Sequence, residues 1–389
     1  MASGIDGHYD HICIFAMTDL DSMRRKLWIF FLLSCFSSAL HAGEVDSNYI
    51  AKFRNIFAVK AFILNNGFTY SLTPRNNDPF TAQQLSDAKV IYSAHIPPAL
   101  GVSLNIKGVG LTYVFKFTDD YLDTTTRVKS GFKQFNMNFY GMKGGFEAYY
   151  QDYSRFYFHY KGDEILSKNF NTDIRAMQFG ANGIFIFNGK KFSYNAAFNQ
   201  TEFQKQSAGS GLMTIALRYN EIRARDLIPD SVGSFFGGNY NTLQRNRNYG
   251  FLLQGGYAFN LTRNNFYYST ALLAGTGLQW QVYELPTRNF YRLGIPLIGR
   301  IKSSAGYNGK FFFSGIFGNL DITQSYIHSV KTQQMIYSYG FYMGFRAIEM
   351  KKYKKSHKQL HEEAKAKKEA EAAEKKRLKE EQRKTKKKR

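Results

Sequence analysis

The chain has 389 residues, of which 44% are apolar and 17% aromatic, and it carries a formal net charge of +22. Its 2 cysteines exclude a disulfide-rich scaffold, and it has no run of about 18 apolar residues that would form a membrane-spanning helix. Basic charge alone favours nucleic acid or an acidic membrane surface as a partner, so the location of the charge along the chain matters.

The N-terminal region has the pattern of an export signal. Residues 24–26 are basic, residues 27–36 form a short apolar core, and small residues lead up to Ala42. This three-part pattern predicts a secretory signal peptide over residues 23–42 that is cleaved after Ala42.

Two further interpretations concern the same region. Residues 1–22 have no targeting character, and we interpret them as an over-long N-terminal extension, with Met23 as the true start. The alternative to cleavage after Ala42 is a lipoprotein-type cleavage before Cys35, which would make Cys35 a lipidated N terminus.

From about residue 54 to 348 the dominant pattern is an alternation of apolar and polar residues. Such alternation indicates β-strands with one apolar and one polar face, and several segments reach the roughly 9–11 residues that a tilted strand needs to cross a bilayer. The clearest segments are 101–107, 109–117, 134–139, 192–199, 251–261 and 337–346.

Short links that contain Gly or Asn separate many of these segments and predict tight hairpins, since both residues tolerate a positive φ. The short links lie at 107–108, 142–144, 188–190, 262–265 and 308–309, and longer polar stretches lie at 118–130, 161–172, 282–289 and 323–334. Short turns that alternate with longer loops are typical of outer-membrane barrels. The sequence leaves the sidedness of residues 200–248 open.

We therefore predict an all-β fold over residues 43–350: a closed antiparallel transmembrane β-barrel of about 12 strands, within a range of roughly 10 to 16. Its apolar face would meet lipid, its polar face would line the interior, and Tyr and Phe near the headgroups would account for the aromatic content. The alternative is a large soluble β-sandwich or barrel with its apolar face inward. The export signal and the Gly, Ser, Asn and Gln of the polar faces favour the membrane barrel.

Residues 351–389 form a basic tail with 18 Lys and Arg against 7 acidic residues, which is half of the net charge of the chain. Its Ala, Glu and Lys favour helix, and Glu371 and Lys375 can pair along it, but no heptad stripe supports a coiled coil. We predict a partly helical periplasmic tail. It is either inert or contacts anionic partners such as lipid headgroups, cell-wall polymer or a periplasmic protein. No nucleic-acid partner is expected of an exported chain.

A family resemblance is carried by the strings 173–177, 185–194 and 198–210 and by shorter strings at 49–53, 149–157 and 307–311. Over roughly residues 48–348 the chain resembles an uncharacterised family of Bacteroidota envelope proteins, the domain of unknown function 4421. The most specific part is Glu202-Phe-Gln204-Lys205-Gln-Ser207-Ala-Gly209-Ser210. The resemblance implies an outer-membrane β-barrel and implies no activity.

The candidate site residues concentrate where a strand pair meets a loop. They are Asn199, Glu202, Gln204, Lys205, Ser207, Gly209 and Ser210. Because polar groups inside a barrel need partners, we expect them to form a hydrogen-bond network in the lumen. The alternative is a hydrolase with Ser207 or Ser210 as nucleophile and Glu202 and His159 as weak candidate partners, although no Gly-x-Ser-x-Gly elbow surrounds either serine.

Basic and metal-ligating side chains give two further expectations. Arg218, Arg223 and Arg225 lie at the end of one predicted strand and would favour anions in a pore. Arg245 and Arg247 follow in the same long excursion, and the alternative is that they face phosphates of outer-leaflet lipid. His357 and His361 are one helical turn apart in the tail, but no third ligand is fixed nearby, so we expect no metal and no cofactor.

The sequence thus predicts an outer-membrane β-barrel protein with a structural role or a role in solute or lipid transport. The alternatives are a barrel hydrolase of lipid or lipopolysaccharide and an envelope scaffold whose tail binds anionic partners. The expected partners are outer-membrane lipid, lipopolysaccharide and the barrel-assembly machinery.

Overall fold

The computed structural model describes residues 44–53, 55–75, 79–96, 98–106, 108–116, 130–160, 169–237, 242–327 and 330–348. The predicted signal peptide, the residues upstream of it and the basic tail lie outside these ranges. The strands are β1 (Ile50–Lys52), β2 (Asn55–Pro74), β3 (Val90–His95), β4 (Ala99–Ile106), β5 (Val109–Lys116), β6 (Gly131–Tyr140), β7 (Gly144–Tyr160), β8 (Asn169–Ile186), β9 (Glu202–Gln204), β10 (Ala208–Arg223), β11 (Arg245–Arg263), β12 (Phe266–Glu284), β13 (Asn289–Gly294), β14 (Leu297–Asn308), β15 (Phe312–Ile327) and β16 (Val330–Ile348). The helical segments are α1 (Ala82–Asp87), α2 (Asp230–Gly233), a π-helical turn (Asn195–Asn199) and a 3-10 turn (Ser234–Phe236).

Twelve antiparallel strands form a closed barrel, which confirms the predicted fold and strand number. The ring runs β2, β4, β5, β6, β7, β8, β10, β11, β12, β14, β15 and β16, and β16 pairs back to β2. This closing pair extends from Val330 opposite Pro74 to Ile348 opposite Asn55. Because each ring strand pairs on both sides, the barrel presents no open sheet edge along these pairings.

The two ends of the barrel differ in their connections. One end, here called the turn end, carries the tight turns after β4, β6, β11 and β14, together with the start of β2 and the end of β16. The opposite end, here called the loop end, carries the longer connections after β2 and β10. Residues 200–207 lie at the turn end and the described residues 224–237 and 242–244 at the loop end, so the two connections around β10 lie at opposite ends of the barrel.

Three neighbouring strands are short. β4 and β5 have 8 residues each and β6 has 10, whereas β2 has 20. Beyond the ends of these strands β3 pairs with both β2 and β7, so that Ser93 lies opposite Thr69 on one side and Tyr157 on the other. At the loop end β3 therefore replaces three strands in the wall.

The alternation of the ring strands places apolar side chains outward. Leu217 and Tyr257 are each 56% exposed, whereas their neighbours Ala216 and Ala258 are 1% and 0% exposed. The described residues of the segments predicted at 101–107, 109–117, 134–139, 251–261 and 337–346 have this orientation. A continuous outward apolar surface of this size is the surface that a bilayer covers.

The strand predicted over residues 192–199 is wrong. This segment lies inside the barrel, where Phe192, Tyr194 and Phe198 are buried together with the intervening Ser193 and Asn195. A segment that the wall surrounds buries both sets of side chains, so the alternation of its sequence does not require a strand. It forms instead a turn that leads into the π-helical turn.

Two predicted loops are shorter than expected. Of residues 323–334, predicted as a loop, the structure describes 323–327 and 330–334, all of which are strand, and β15 and β16 pair up to Ile327 opposite Val330. The loop predicted at 282–289 shrinks to 285–288. The strands continue through these polar residues because inward hydroxyls pair across them: the hydroxyls of Ser325 and Thr332 are 2.7 Å apart.

The loop end is sealed by the connection after β10. In this connection Leu227, Ile228, Val232 and Phe236 are buried in the main apolar cluster of the protein. The hydroxyl of Tyr92, on β3, donates to the carbonyl of Leu227. We call residues 224–237 the loop-end cap.

Candidate functional site

The long connection between β8 and β10 folds back into the turn end of the barrel. We call its residues 187–206 the plug. The plug side chains Phe192, Tyr194, Ala197 and Phe198 share one apolar cluster with the wall side chains Tyr140, Ile184, Ile186, Leu212, Ala258, Ala271 and Leu273. Burial of this apolar surface supplies the nonspecific part of the plug's attachment.

The sequence-predicted residues Gln204 and Lys205 fix the end of the plug. Gln204 accepts a hydrogen bond from the backbone N–H of Ser193 at 2.9 Å and donates to the carbonyl of Lys191 at 2.5 Å. Lys205 donates from Nζ to the carbonyl of Ser47 at 2.7 Å. Since Gln204 also lies opposite Ile50 in the small β1–β9 sheet, the plug is tied to the N-terminal segment.

Glu202 is the acidic residue of this sheet. Its carboxylate accepts a hydrogen bond from the Ser193 hydroxyl at 2.6 Å, and its residue lies opposite Lys52. Burial raises the pKa of the Glu202 carboxyl above its ordinary value, while the Ser193 hydrogen bond and the charge of Lys52 act in the opposite direction. Its backbone carbonyl accepts from Asn308 at 3.0 Å, which joins the plug to the β14–β15 turn.

The remaining predicted residues connect the plug to the wall. Asn199 donates to the Asn138 side chain at 2.9 Å. The Ser207 hydroxyl accepts from the backbone N–H of Thr262 at 2.9 Å. The Ser210 hydroxyl accepts from the N–H of Asn188 at 2.9 Å, and the Gly209 carbonyl accepts from the Asn188 side chain at 2.8 Å.

These contacts do not assemble a hydrolase triad. His159 lies near the loop end of β7, where its backbone is opposite Ile91, while Ser207 and Ser210 lie at the turn end. The separation along the strand from Gly144 to His159 is roughly 50 Å at about 3.3 Å per residue. The structure therefore brings the two serines and Glu202 to the same end of the barrel but does not bring His159 to them.

Arg346, near the end of the last strand, clamps the plug. It is 3% exposed and donates from Nε to the carbonyl of Gln200 at 2.9 Å, and its other nitrogens donate to the carbonyl of Gly309 and the side chain of Asn308. Its guanidinium also lies 4.1 Å from the ring centroid of Phe53. Gln200 has a left-handed backbone, with φ of 57°, which turns its carbonyl toward the arginine.

Between the plug and the loop-end cap the barrel encloses a polar space that we call the chamber. Inward side chains of several strands form an ion-pair network there. Glu147 contacts Lys302 at 3.3 Å and Arg300 at 3.9 Å, and Arg300 contacts Asp321 at 3.0 Å. Arg218 lies 3.7 Å from Asp321 and donates to the Thr323 hydroxyl at 3.1 Å.

The chamber consists of two adjoining cavities of about 200 and 140 Å³, whose linings share Gln134, Asn136, Lys302, Asn319 and Ser338. The first adds Arg218 and Arg300, and the second adds Lys60, whose ammonium lies 5.2 Å from the ring centroid of Tyr342. The linings together hold four basic side chains, Lys60, Arg218, Arg300 and Lys302, against two acidic ones, Glu147 and Asp321. The lining therefore carries an excess of positive charge.

The chamber also presents hydrogen-bonding atoms that no protein group uses. Among the described side chains, Arg218 Nε and Asn182 Oδ1 are buried, line the larger cavity and have no hydrogen-bond partner. A buried polar atom without a partner is costly, so a water molecule or a polar ligand that reached these two atoms would be stabilised there.

The three arginines predicted to face anions occupy different environments. Arg218 is 8% exposed and points into the chamber. Arg223, at the end of the same strand, points outward from the wall, and Arg225 is exposed in the loop-end cap. Only Arg218 faces the lumen among these three. The alternation over residues 337–346 already places Arg346 on the polar face of its strand. No sequence pattern points to Glu147, Lys302 and Asp321 as a site, because they lie on different strands and meet only in the closed barrel.

Neither a metal cluster nor a spanning helix is found in the described ranges. No group of three or more His, Cys, Asp or Glu side chains there has an arrangement that would hold a metal ion. No helix in the same ranges is long and apolar enough to cross a membrane.

Several solved structures align with most of this chain at low identity. No curated protein matches the chain. The outer-membrane protease OmpT from Escherichia coli is 6% identical, with 75% of this chain and 96% of that chain covered and a TM-score of 0.34. The outer-membrane protein OprG from Pseudomonas aeruginosa is 8% identical, with 78% and 100% covered and a TM-score of 0.22. A TodX monoaromatic hydrocarbon channel mutant is 8% identical, with 75% and 91% covered and a TM-score of 0.27.

A family model matches residues 44–346, from the N-terminal segment through Arg346, and so includes the plug, the chamber and most of the last strand. This match confirms the resemblance to the domain of unknown function 4421. The chain belongs to the family described as domain of unknown function DUF4421.

Proposed function

We propose that this protein resides in the outer membrane, binds small anionic solutes in its chamber and passes them across the membrane when the plug moves. The observation that carries the proposal is the excess of basic side chains in a polar chamber between the plug and the loop-end cap. The outward apolar side chains of the ring strands support the membrane location.

The charge of the chamber favours an anion over a neutral solute. Glu147 and Asp321 each contact two basic side chains, so they do not balance all four. Lys60 has no carboxylate within 4 Å in the described part of the chain, and it stacks on the Tyr342 ring instead. A charge held in a low-dielectric interior is stabilised by a counter-ion, and an anionic ligand can supply one.

The cavity volumes limit the size of the solute. Volumes of about 200 and 140 Å³ hold a small molecule and exclude a lipid with its acyl chains. Amide and hydroxyl groups from Gln134, Asn136 and Ser338 line both cavities and would orient such a solute.

The two seals differ in their construction. The loop-end cap is held by a large apolar cluster, whereas much of the plug's attachment is polar and runs through Gln204, Asn199 and Arg346. Polar attachments exchange for water at a small net cost, so the plug is the seal that moves in this proposal.

The proposal is tested by conductance of the purified barrel in planar bilayers. We expect low conductance from the wild type and a steady, anion-selective conductance when residues 192–206 are replaced by a flexible Gly-Ser linker. In that background the pair Lys60→Gln and Lys302→Gln should shift the reversal potential in a KCl gradient toward zero. The matched pair Lys143→Gln and Lys310→Gln changes exposed turn-end lysines and should leave it unchanged.

Two outcomes would overturn the proposal. If the plug-replacement variant inserts as a folded barrel but conducts no more than the wild type, the barrel does not transport solutes through its lumen and a structural role remains. A cation-selective open barrel would contradict the chamber charge as the determinant of selectivity.

A further inference from the structure

Three arginines form a row on the outer wall near the loop end. Arg223 on β10 lies directly opposite Arg175 on β8 and directly opposite Arg245 on β11. Their side chains are 43%, 42% and 33% exposed. Like charges directly opposite on neighbouring strands are destabilising, so an arrangement of three calls for a compensating anion.

The acidic neighbours of the row leave the middle arginine with the weakest pairing. Arg175 forms a two-point ion pair with Asp152 at 2.6 and 2.8 Å, and Arg245 contacts Glu284 at 3.1 Å. The ion pair of Arg223 with Glu221 is longer, at 3.8 Å.

Glu221 is itself shared. The same carboxylate lies 3.9 Å from Arg245 and accepts a hydrogen bond from the Tyr219 hydroxyl at 2.6 Å. Exposed charges of both signs, Asp173 on β8 and Arg225 after β10, border the row. Guanidinium groups carry several N–H donors each, so all three arginines keep donors for another oxyanion.

An aromatic row lies four residues from the arginines, toward the middle of the barrel. Tyr219 is directly opposite Phe179 and Tyr249, and Tyr249 is directly opposite Trp280. The distance between the two rows is roughly 13 Å along the strands. Aromatic side chains at this position mark the boundary between hydrocarbon and headgroups, and below them the wall is apolar, with Leu217 56% exposed.

From this arrangement we infer that Arg175, Arg223 and Arg245 bind the phosphate of an outer-leaflet lipid headgroup. The phosphate would lie over Arg223, with its acyl chains along the apolar wall below the aromatic row. A soluble anion would use the arginines alone, whereas a lipid uses both rows, and the alignment of the rows favours the lipid. The inference rests on the membrane location in the proposed function and is independent of the plug and the chamber.

The test uses the full-length protein in neutral detergent micelles. Diphosphoryl lipid A is titrated into the protein, binding is followed by native mass spectrometry, and the same titration is made with fully dephosphorylated lipid A and with inorganic phosphate. We expect binding of the phosphorylated lipid that weakens with added salt, and at least about tenfold weaker binding of the other two probes. The triple variant Arg175→Gln, Arg223→Gln, Arg245→Gln should bind the phosphorylated lipid at least about tenfold more weakly.

The control is the triple variant Lys143→Gln, Arg263→Gln, Lys310→Gln, which removes three exposed cations at the turn end and should bind as the wild type does. If the arginine triple variant does not fold, the single variant Arg223→Gln replaces it and should weaken binding severalfold. Equal binding by the folded arginine variant and the wild type would overturn the inference. So would equal binding of the dephosphorylated lipid, while tighter binding of inorganic phosphate than of the lipid would assign the row to soluble anions instead. None of these results depends on conductance, so the proposed transport can fail separately.

Discussion

Replacing Arg346 by Met should loosen the plug without opening the barrel wall. Met has a similar length but donates no hydrogen bond, so the carbonyl of Gln200, a residue that is 0% exposed, would lose its charged donor. An unsatisfied buried acceptor costs about 1–3 kcal/mol, and the acceptors at Gly309 and Asn308 add to this. Part of this loss is offset because the buried guanidinium no longer has to be desolvated. We expect a net loss of about 3 kcal/mol in the seating free energy of the plug, or about a hundredfold more of the open form.

Hydrogen exchange of the protein in detergent micelles measures this change. Amides of residues 195–204 should exchange about a hundredfold faster in the Arg346→Met variant, while amides in the middle of β11 keep their wild-type rates. Arg346→Lys retains one charged donor and should give a smaller increase. The control Arg263→Met removes an exposed arginine from the turn end and should leave plug exchange unchanged. Wild-type exchange rates throughout the plug in Arg346→Met would refute the assignment of Arg346 as its clamp.

Three further changes test other parts of the structure. Gly256→Ala should destabilise the folded barrel by about 1–3 kcal/mol in urea titrations, because a Cβ there would collide with a backbone carbonyl oxygen of β12. The control Gly255→Ala should be neutral, because a Cβ at that position would lie in open space. Glu202→Gln should stabilise the plug at neutral pH, because glutamine carries no charge to bury. The folded-state pKa of Glu202 is raised, so the stability that its protonated carboxyl contributes is complete below the unfolded-state pKa and is lost as pH rises through the folded-state pKa. The gain, measured by plug hydrogen exchange after correction for intrinsic rates, should disappear in acid, and a pH-independent gain would contradict the burial of the charge. Ser207→Ala with Ser210→Ala removes two acceptors of backbone N–H groups and should cost about 1–2 kcal/mol in urea while leaving the cellular lipid profile unchanged; an altered profile would support the hydrolase alternative.

The wall of the barrel could be predicted from the sequence because its two faces meet different media. Segments such as 251–261 alternate strictly, since lipid selects one face and the polar interior the other. Turn residues such as Gly108 mark the hairpins, because its φ of 91° is a conformation that residues with a Cβ rarely adopt. Residues 55–74 lie within the alternating region of the sequence and form the wall strand β2.

The plug could not be predicted in the same way. Its alternation of Phe192, Tyr194 and Phe198 with polar residues imitates a wall strand, but the polar residues are as buried as the aromatic ones. The sequence feature that points to the plug is the many amide and small side chains around Gln200, which a lipid-facing hairpin does not require. The chamber is harder still to predict from the sequence, because Glu147 and Lys302 are 155 residues apart and come into contact only when the ring of strands closes.

The closing seam between β2 and β16 also sets an order of assembly. It joins the first and last strands of the ring, for example Val59 to Phe345, so among the described strand pairs it has the highest loop-closure cost, and we expect it to form after the local hairpins. Arg346 enters the barrel with this seam and is the residue that clamps the plug. The plug therefore stays unclamped until the last strand has been inserted. The clamp on the plug and the closing pair of the wall therefore depend on the same strand, β16.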